Sequence, residues 1–365
     1  MAKRIIMAGG GTGGHIFPAI AIANALKKED RSIEVLFVGA KGKMEMEKVP
    51  QAGYKIEGLD IAGFNRSSLI KNMGLPFKLV KSFLQVRSIF SSFGPDAVIG
   101  VGGYSSFPVL RYAQAKGVPS FIHESNSFAG KSNMLLGKKA TKVFVASDGM
   151  NQFFPAEKIV VTGNPVRPDI VNVANSNKDE ALRFFGLQRG KKTVLAVGGS
   201  LGARSINEAI AAGLDSITGA GLQLIWQTGR TDAGKWKEAA AGKDNVWVAD
   251  FIADMQRAYA AADIVISRAG AMAIAELCLV KKPVLFVPYP FAAEDHQTVN
   301  AQALVQKGAA LMVKDSEAKE RVVPEIIGLA RDEQAQERLI NNIAGLGVSN
   351  ADKRIADEIL KTIGR

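Results

Sequence analysis

The chain has 365 residues, of which 46 are lysine or arginine and 35 are aspartate or glutamate, so its formal net charge is +11. At roughly 100–200 residues per domain, this length predicts two domains. Hydrophobic residues make up 47% and charged residues 22%, which excludes a generally disordered chain. The single cysteine, Cys278, excludes an internal disulfide framework and predicts a reducing compartment.

The excess positive charge and the apolar runs limit where the protein acts. No stretch approaches the ~18 consecutive apolar residues of a membrane-spanning helix. Glycines interrupt the apolar run at 4–8 before a signal-peptide core is complete, so we expect a cytoplasmic protein. The charge itself is compatible with nucleic acid, with an anionic membrane surface or with a polyanionic substrate.

The first predicted elements are a strand at 4–8, a glycine-rich turn at 9–14 and a helix at 16–26. The same order recurs at 193–197, 198–203 and 206–214, which indicates two related units. Further predicted strands lie at 35–38, 97–101, 120–122 and 143–146 in the first half and at 222–227, 246–248, 264–267 and 284–287 in the second. Strands that alternate with helices predict parallel sheets and the α/β class.

The domain boundary is predicted near 163–168, where two prolines and a glycine interrupt any element. We therefore expect Rossmann-like domains at 1–165 and 166–348 that face a cleft. The final segment, 349–365, opens with the capping-box pattern Ser349-Asn350-Ala351-Asp352 and continues as an amphipathic helix. We expect this helix to pack back on the first domain.

Three glycine-rich turns follow predicted strands, at 9–14, 100–106 and 198–203. Gly9, Gly11 and Gly14 satisfy the G-x-G-x-x-G pattern, in which backbone N–H groups and a helix dipole hold a pyrophosphate. The acidic residue that an NAD site needs after the second strand is absent, although Lys41 there would suit NADP. A dinucleotide-dependent oxidoreductase therefore remains an alternative, while three loops indicate more than one phosphate-bearing ligand.

Candidate acid–base residues lie beside these turns. His15 directly follows the first turn, and histidine is the side chain best suited to accept a proton from a sugar hydroxyl near neutral pH. Glu124, next to His123, is a second candidate. The sequence has no D-x-D triplet, and Glu45-Met46-Glu47 lies in a charged segment that we expect to be solvated. We therefore expect no metal, and a diphosphate bound by helix N-termini and arginines.

Seven segments follow one another along nearly the whole chain: GGTGGHIFPA at 10–19, GGY at 102–104, HESN at 123–126, TGNPVR at 162–167, GGSLGA at 198–203, SRAGA at 267–271 and DHQ at 295–297. Together they resemble the MurG family of peptidoglycan N-acetylglucosaminyltransferases. The resemblance implies a GT-B fold and no cofactor. It also implies an inverting transfer of GlcNAc from UDP-GlcNAc to the C4 hydroxyl of the MurNAc unit of lipid I (undecaprenyl-pyrophosphoryl-MurNAc-pentapeptide), giving lipid II and UDP.

The resemblance also assigns expected substrate contacts, residue by residue. For UDP-GlcNAc they are Arg167 and Ser200 at the diphosphate, Ile252 at uracil through its backbone, Glu276 at the ribose, Gln297 at the GlcNAc hydroxyls and the helix start Ala271, Met272, Ala273, Ile274 and Ala275. From the first domain, Thr12, Gly13, Gly14 and Asn126 would meet the sugar and the acceptor. Where the family often has threonine this chain has Ala273, so only backbone contact is expected there.

A predicted helix at 75–90 carries more apolar surface than packing on one sheet requires. Its predicted membrane-contact residues are Leu75, Phe77, Leu79, Val80, Phe83 and Leu84, with Lys78 and Lys81 as flanking cations. MurG-like proteins are thought to dock on the membrane through such a patch, which implies a peripheral protein on the cytoplasmic face of the bacterial inner membrane. Nucleic acid is disfavoured because no basic-aromatic recognition motif appears.

Two other functions fit the same pattern of motifs. A UDP-GlcNAc 2-epimerase would use UDP-GlcNAc alone, and a UDP-sugar sensor would bind it without turnover. Both lack the acceptor that the resemblance to the transferases implies.

Overall fold

The computed structural model describes residues 2–63, 72–199 and 201–364. The chain divides into two compact units, unit 1 formed by Met1–Val166 with Asn350–Arg365 and unit 2 formed by Arg167–Ser349. Within the described ranges, no helix is both long enough and apolar enough to cross a membrane.

Unit 1 is built on a seven-stranded parallel sheet with the order β3-β2-β1-β4-β5-β6-β7. The strands are β1 (Arg4–Ala8), β2 (Glu34–Ala40), β3 (Lys55–Leu59), β4 (Ala97–Gly100), β5 (Ser120–Glu124), β6 (Lys142–Val145) and β7 (Ile159–Val161). β1 pairs with both β2 and β4, so Ile6 lies opposite Leu36 on one side and Val98 on the other. The strand order reverses between β1 and β4, and ligands of such sheets bind beyond the carboxyl ends at the reversal.

Helices cover both faces of this sheet. They are α1 (Gly13–Glu29), α2 (Glu45–Gln51), α3 (Leu75–Phe93), α4 (Ser106–Ala115), α5 (Lys131–Gly137) and, from the end of the chain, α16 (Ala351–Ile363). One buried cluster contains Ile22 of α1 with Ile355 and Ile359 of α16, and α16 packs directly on α1. A second cluster joins α3, α4 and α5 to the sheet.

Unit 2 repeats the plan with six parallel strands in the order β10-β9-β8-β11-β12-β13. The strands are β8 (Thr193–Val197), β9 (Gln223–Gln227), β10 (Val246–Ala249), β11 (Ile264–Ser267), β12 (Val284–Phe286) and β13 (Leu311–Met312). Its helices are α6 (Pro168–Val171), α7 (Lys178–Phe184), α8 (Arg204–Ala212), α9 (Leu214–Gly219), α10 (Ala233–Ala239), α11 (Met255–Ala261), α12 (Ala271–Val280), α13 (His296–Val305), α14 (Ala318–Arg331) and α15 (Glu333–Ala344). Cys278 of α12 is buried, and this burial raises the pKa of its thiol to about 12.

The prediction of an α/β fold with parallel sheets is confirmed. Sequence periodicity missed the sheet-edge strands β3, β7 and β13: β3 is interrupted by charged residues, and β7 and β13 have only three and two residues. The capping-box prediction at Ser349 is wrong, because Asn350 is the N-cap of α16 and its side chain accepts no capping hydrogen bond.

Candidate active site

Two glycine-rich loops interlock at the carboxyl ends of β1 and β4. The N–H of Gly10 donates to the carbonyl oxygen of Gly102 at 3.4 Å. A Cβ on Gly103 would lie 2.5 Å from the carbonyl oxygen of Gly10, and Gly103 has a φ of +84°. The close approach of the two backbones therefore requires glycine there, and it fixes the loop from which α1 starts.

His15 lies in the first turn of α1, beside Thr12, Gly13 and Gly14. Its Nδ1 is 3.1 Å from the carbonyl oxygen of Gly10 and 3.3 Å from Oγ1 of Thr12. A carbonyl oxygen only accepts hydrogen bonds, so the contact with Gly10 is a hydrogen bond in the tautomer that carries the proton on Nδ1. In the neutral ring the lone pair is then on Nε2, which is the atom a general base uses.

Glu124, at the end of β5, is buried and accepts hydrogen bonds on both carboxylate oxygens. Oε1 accepts from the backbone N–H and side-chain Nδ2 of Asn126, at 3.1 and 3.2 Å. Oε2 accepts from the N–H of Gly130 at 3.0 Å and from Nδ2 of Asn133 at 2.8 Å. Four donors satisfy the carboxylate, so the geometry argues against the acid–base role that we predicted and indicates that Glu124 fixes the loop carrying Asn126.

The neighbouring His123 is buried, and desolvation lowers the pKa of its imidazole to about 4. Nδ1 of His123 lies 3.4 Å from Oγ of Ser125. His123 is therefore neutral near pH 7.

Glu45 of α2 was missed as a functional residue, and the expectation that its segment is solvated is wrong at this position. The residue is 1% exposed. Its Oε2 accepts the N–H of Gly11 at 2.8 Å and its Oε1 accepts the N–H of Ala40 at 3.0 Å. Glu47 does point to solvent. Only the short distance in sequence between Glu45 and Gly39, near the end of β2, could have indicated this contact.

The corresponding reversal in unit 2 lies between β8 and β11. The turn 198–203 follows β8, and its predicted ligand Ser200 lies outside the described residues. After β11, Gly270 is the extended N-cap of α12, and its carbonyl oxygen accepts the N–H of Ile274 at 3.0 Å. The half-buried stretch Ala271, Met272, Ala273, Ile274 and Ala275 forms the positive end of this helix.

Glu276, further along α12, faces a cation and a buried phenol. Its Oε1 is 3.8 Å from Nε of Arg167, and its Oε2 accepts from the hydroxyl of Tyr259 at 3.1 Å. Desolvation raises the pKa of the Glu276 carboxyl, against the opposing charge of Arg167. Burial and the charge of Glu276 raise the pKa of Tyr259 well above its usual value. Arg167 also lies 3.7 Å from Asp169, and its side chain keeps solvent access.

The other residues predicted to bind UDP-GlcNAc are held by hydrogen bonds within unit 2. The N–H of Ile252 donates to Oε1 of Gln227 at 3.3 Å, and Nε2 of Gln227 donates to the carbonyl oxygen of Gly199 at 2.9 Å. Oε1 of Gln297 accepts the N–H groups of Ala269 and Tyr289 at 3.2 and 3.0 Å. The amide orientation of Gln297 is thereby fixed, with its Nε2 directed away from those two donors.

Helix α3 presents three of its six predicted apolar membrane-contact residues to solvent as one stripe. Phe77 is 82% exposed, and Val80 and Leu84 are each 62% exposed. Leu75, Leu79 and Phe83 are half-buried, and farther along the helix Val86 and Phe90 belong to the buried cluster on the sheet. Lys78 is exposed, whereas Lys81 pairs with Asp60 at 2.9 Å.

Two α/β units, each with a parallel sheet and glycine-rich turns at its reversal, are typical of the GT-B class of glycosyltransferases. Models of the N-terminal and C-terminal domains of glycosyltransferase family 28 match residues 5–145 and 193–358. The chain therefore belongs to glycosyltransferase family 28.

Two relatives of this chain carry the same name. The "UDP-N-acetylglucosamine--N-acetylmuramyl-(pentapeptide) pyrophosphoryl-undecaprenol N-acetylglucosamine transferase" of Parabacteroides distasonis is 53% identical and covers 99% of both chains. The protein of that name from Bacteroides fragilis is 50% identical, over 99% of this chain and 96% of its own. The predicted membership of the MurG family and the predicted hexosyltransferase class are confirmed.

Solved structures give the same result. The crystal structure of Acinetobacter baumannii MurG has a TM-score of 0.81 and 29% identity, covering 98% of this chain and 99% of its own. The UDP-GlcNAc 2-epimerase from Neisseria meningitidis bound to UDP-GlcNAc has a TM-score of 0.68 at 16% identity, over 99% of this chain and 100% of its own. That likeness extends to the fold alone, so it does not favour the epimerase alternative.

Proposed function

We propose that this chain transfers GlcNAc from UDP-GlcNAc to the C4 hydroxyl of the MurNAc unit of lipid I, producing lipid II and UDP in peptidoglycan synthesis. The observation that carries the proposal is the full-length identity of about 50% to transferases named for this reaction. The arrangement of both sheet reversals is compatible with it, because one carries a candidate base and the other a candidate diphosphate site.

The donor is assigned to unit 2. The positive end of α12, from Ala271 to Ala275, with Arg167 and Ser200, would bind the diphosphate of UDP-GlcNAc. The Glu276 carboxylate would accept hydrogen bonds from the ribose hydroxyls.

The remaining donor contacts come from two residues outside α12. Ile252 would contact uracil through its backbone. Since Oε1 of Gln297 is occupied by two backbone donors, its Nε2 would donate to a GlcNAc hydroxyl.

The acceptor and the base are assigned to unit 1. Thr12, Gly13, Gly14 and Asn126 would position the MurNAc unit, and Nε2 of His15 would take the proton from its C4 hydroxyl. As that oxygen forms a bond to the anomeric carbon of GlcNAc, the bond from that carbon to the β-phosphate oxygen breaks. The electron pair leaves on UDP, where α12 and Arg167 would stabilise the added charge. A single displacement inverts the anomeric centre.

The apolar stripe of Phe77, Val80 and Leu84, with Lys78 beside it, would lie on the anionic inner face of the membrane, where lipid I is anchored. Burying each such side chain contributes about 1.5–3 kcal/mol, so three are sufficient for reversible binding. This supports a peripheral position on the cytoplasmic face of the bacterial inner membrane.

The reaction is tested with purified chain, UDP-GlcNAc and a lipid-linked muramyl-pentapeptide in detergent. We expect UDP release only when the acceptor is present, with formation of a disaccharide-linked lipid. An identical incubation without acceptor serves as the control. UDP-ManNAc formed without acceptor would assign the epimerase activity instead, and binding of UDP-GlcNAc with no turnover would assign a sensor.

A further inference from the structure

The Gly10–Gly11 peptide group connects a buried carboxylate to the imidazole of His15. Its N–H, on Gly11, donates to Oε2 of Glu45 at 2.8 Å. Its carbonyl oxygen, on Gly10, accepts from Nδ1 of His15 at 3.1 Å. The described peptide bonds are all trans, so the N–H and the C=O of this planar group point in opposite directions.

The fold leaves room for this carboxylate at two glycines. A Cβ on Gly10 would lie 2.3 Å from the carboxyl carbon of Glu45, and a Cβ on Gly39 would lie 2.5 Å from its Cγ. Any side chain at either position would displace Glu45. The second carboxylate oxygen is held by the N–H of Ala40 at the end of β2, so the carboxylate is fixed from the sheet as well as from the loop.

A carboxylate that accepts a peptide N–H polarises the whole peptide group, and hydrogen bonds in such a chain strengthen one another. The carbonyl oxygen of Gly10 thereby becomes a better acceptor for the Nδ1–H of His15. Fixing the orientation of that carbonyl also fixes the imidazole tautomer with its lone pair on Nε2.

We infer that Glu45 is a positioning residue, which holds His15 in the Nδ1–H tautomer through the Gly10–Gly11 peptide group; this rests on the proposed role of His15 as the base. Glu45 does not touch substrate. Its effect is on the orientation and basicity of Nε2.

The test is the imidazole 15N spectrum of the full chain labelled with 15N-histidine, at a pH about two units above the ordinary histidine pKa of ~6.5. The chain has three histidines, and His15→Gln assigns the signals of His15. In the unchanged chain we expect a protonated Nδ1 and an unprotonated Nε2. In Glu45→Gln the side chain keeps only one oxygen, so one of the two peptide N–H groups that Glu45 accepts would face the new amide N–H₂. We expect the Nε2–H form of His15 to become substantially populated as a result.

Kinetics give an independent readout. Glu45→Gln should lower kcat by roughly 10–100-fold, by analogy with the groups that orient a metal-bound histidine, with the KM for UDP-GlcNAc unchanged. Gly39→Ala, which displaces Glu45 without removing its charge, should shift the tautomer in the same direction and provides a second variant if Glu45→Gln fails to fold. Glu47→Gln is the matched control on the same helix, because Glu47 is exposed.

An unchanged His15 tautomer in folded Glu45→Gln and Gly39→Ala would overturn the inference. So would a fall in kcat that Glu47→Gln reproduces. If the unchanged chain transfers no GlcNAc, the proposed function fails, whereas the tautomer measurement still decides whether Glu45 controls His15.

Discussion

The two sheet reversals have the same topology but different chemistry. In unit 1, the loop after β1 is closed on itself, because the N–H of Gly11 is taken by the buried Glu45 and the carbonyl of Gly10 by His15. In unit 2, α12 begins after β11 at its positive end, and Glu276 further along that helix lies 3.8 Å from Arg167. One reversal therefore holds the candidate base, and the other holds the candidate anion site.

This difference shows why a glycine-rich turn alone does not identify a dinucleotide site. The dinucleotide interpretation needs the backbone N–H groups of the first turn for a pyrophosphate. A carboxylate already occupies the N–H of Gly11, and its negative charge opposes a second anion there. Because the two reversals differ in this way, variants in unit 1 should change turnover or stability, and variants in unit 2 should change donor affinity.

The largest expected effect comes from His15→Ala. Removing a general base costs roughly 10²–10⁴-fold in rate, so kcat should fall by that factor. Donor binding to unit 2 should be unchanged, which titration calorimetry with UDP would check. A variant with full kcat would eliminate His15 as the base, and one with weakened UDP binding would break the separation of roles between the units.

Arg167→Ala, a variant in unit 2, should lower the affinity for the donor. Hydrogen bonds to charged groups contribute about 1.5–3 kcal/mol, so we expect UDP affinity to fall by roughly 10–100-fold. Arg189→Ala is the matched control, since Arg189 is an exposed arginine of unit 2 that pairs with Asp179. Equal UDP affinity in both variants would remove Arg167 from the diphosphate site.

The double variant Phe77→Asp with Leu84→Asp should lower binding to anionic vesicles about tenfold or more, because it removes two exposed apolar side chains and adds two negative charges. UDP binding should be unaffected. Leu135→Asp with Phe184→Asp controls for the loss of exposed apolar surface elsewhere. Vesicle flotation that does not distinguish the two double variants would sink the membrane proposal.

A smaller effect is expected from His123. Its pKa of about 4 lies below the unfolded value of about 6.5, so the unfolded chain binds the proton first as the pH falls. This contribution to the free energy of unfolding is present above pH ~6.5 and is lost as the pH approaches ~4.

His123→Gln should remove that part of the pH dependence. Between pH 7.5 and 5, about 1.5 pH units lie below the unfolded pKa, which at ~1.4 kcal/mol per unit amounts to about 2 kcal/mol, or ~4–8 °C in Tm at this domain size. Between pH 7.5 and 5, thermal melts should therefore show a Tm decrease that is about that much smaller in the variant than in the unchanged chain. An identical decrease in both would mean that the protonation of His123 does not limit stability.

Much of the fold could be predicted from sequence, because the buried strands are continuous apolar runs that end in glycine turns. β1, β8 and β11 are examples, and the glycine loops locate both reversals. The edge strands β7 and β13 could not be predicted, since three and two residues are too few to show a periodic signal.

The candidate site residues that lie beside a glycine-rich loop in the sequence could be predicted. Those whose role depends on tertiary contacts were harder to predict. His15 and the start of α12 lie directly beside their loops. Glu45 reads as one charge among several, and only packing of α2 against the glycine loop buries it. In the sequence, Glu124 is an acidic residue beside a histidine. In the fold, four hydrogen-bond donors satisfy its carboxylate, which indicates a structural role.

Because the thiol of Cys278 is buried, the chain can be labelled selectively at a cysteine introduced on the surface. With a pKa of about 12, this thiol stays protonated near neutral pH, and burial shields it from reagents. A cysteine introduced on the surface would therefore react with maleimides far faster than the native one. A fluorophore placed at position 80 of α3 would report vesicle docking directly, in a chain that keeps every natural core residue.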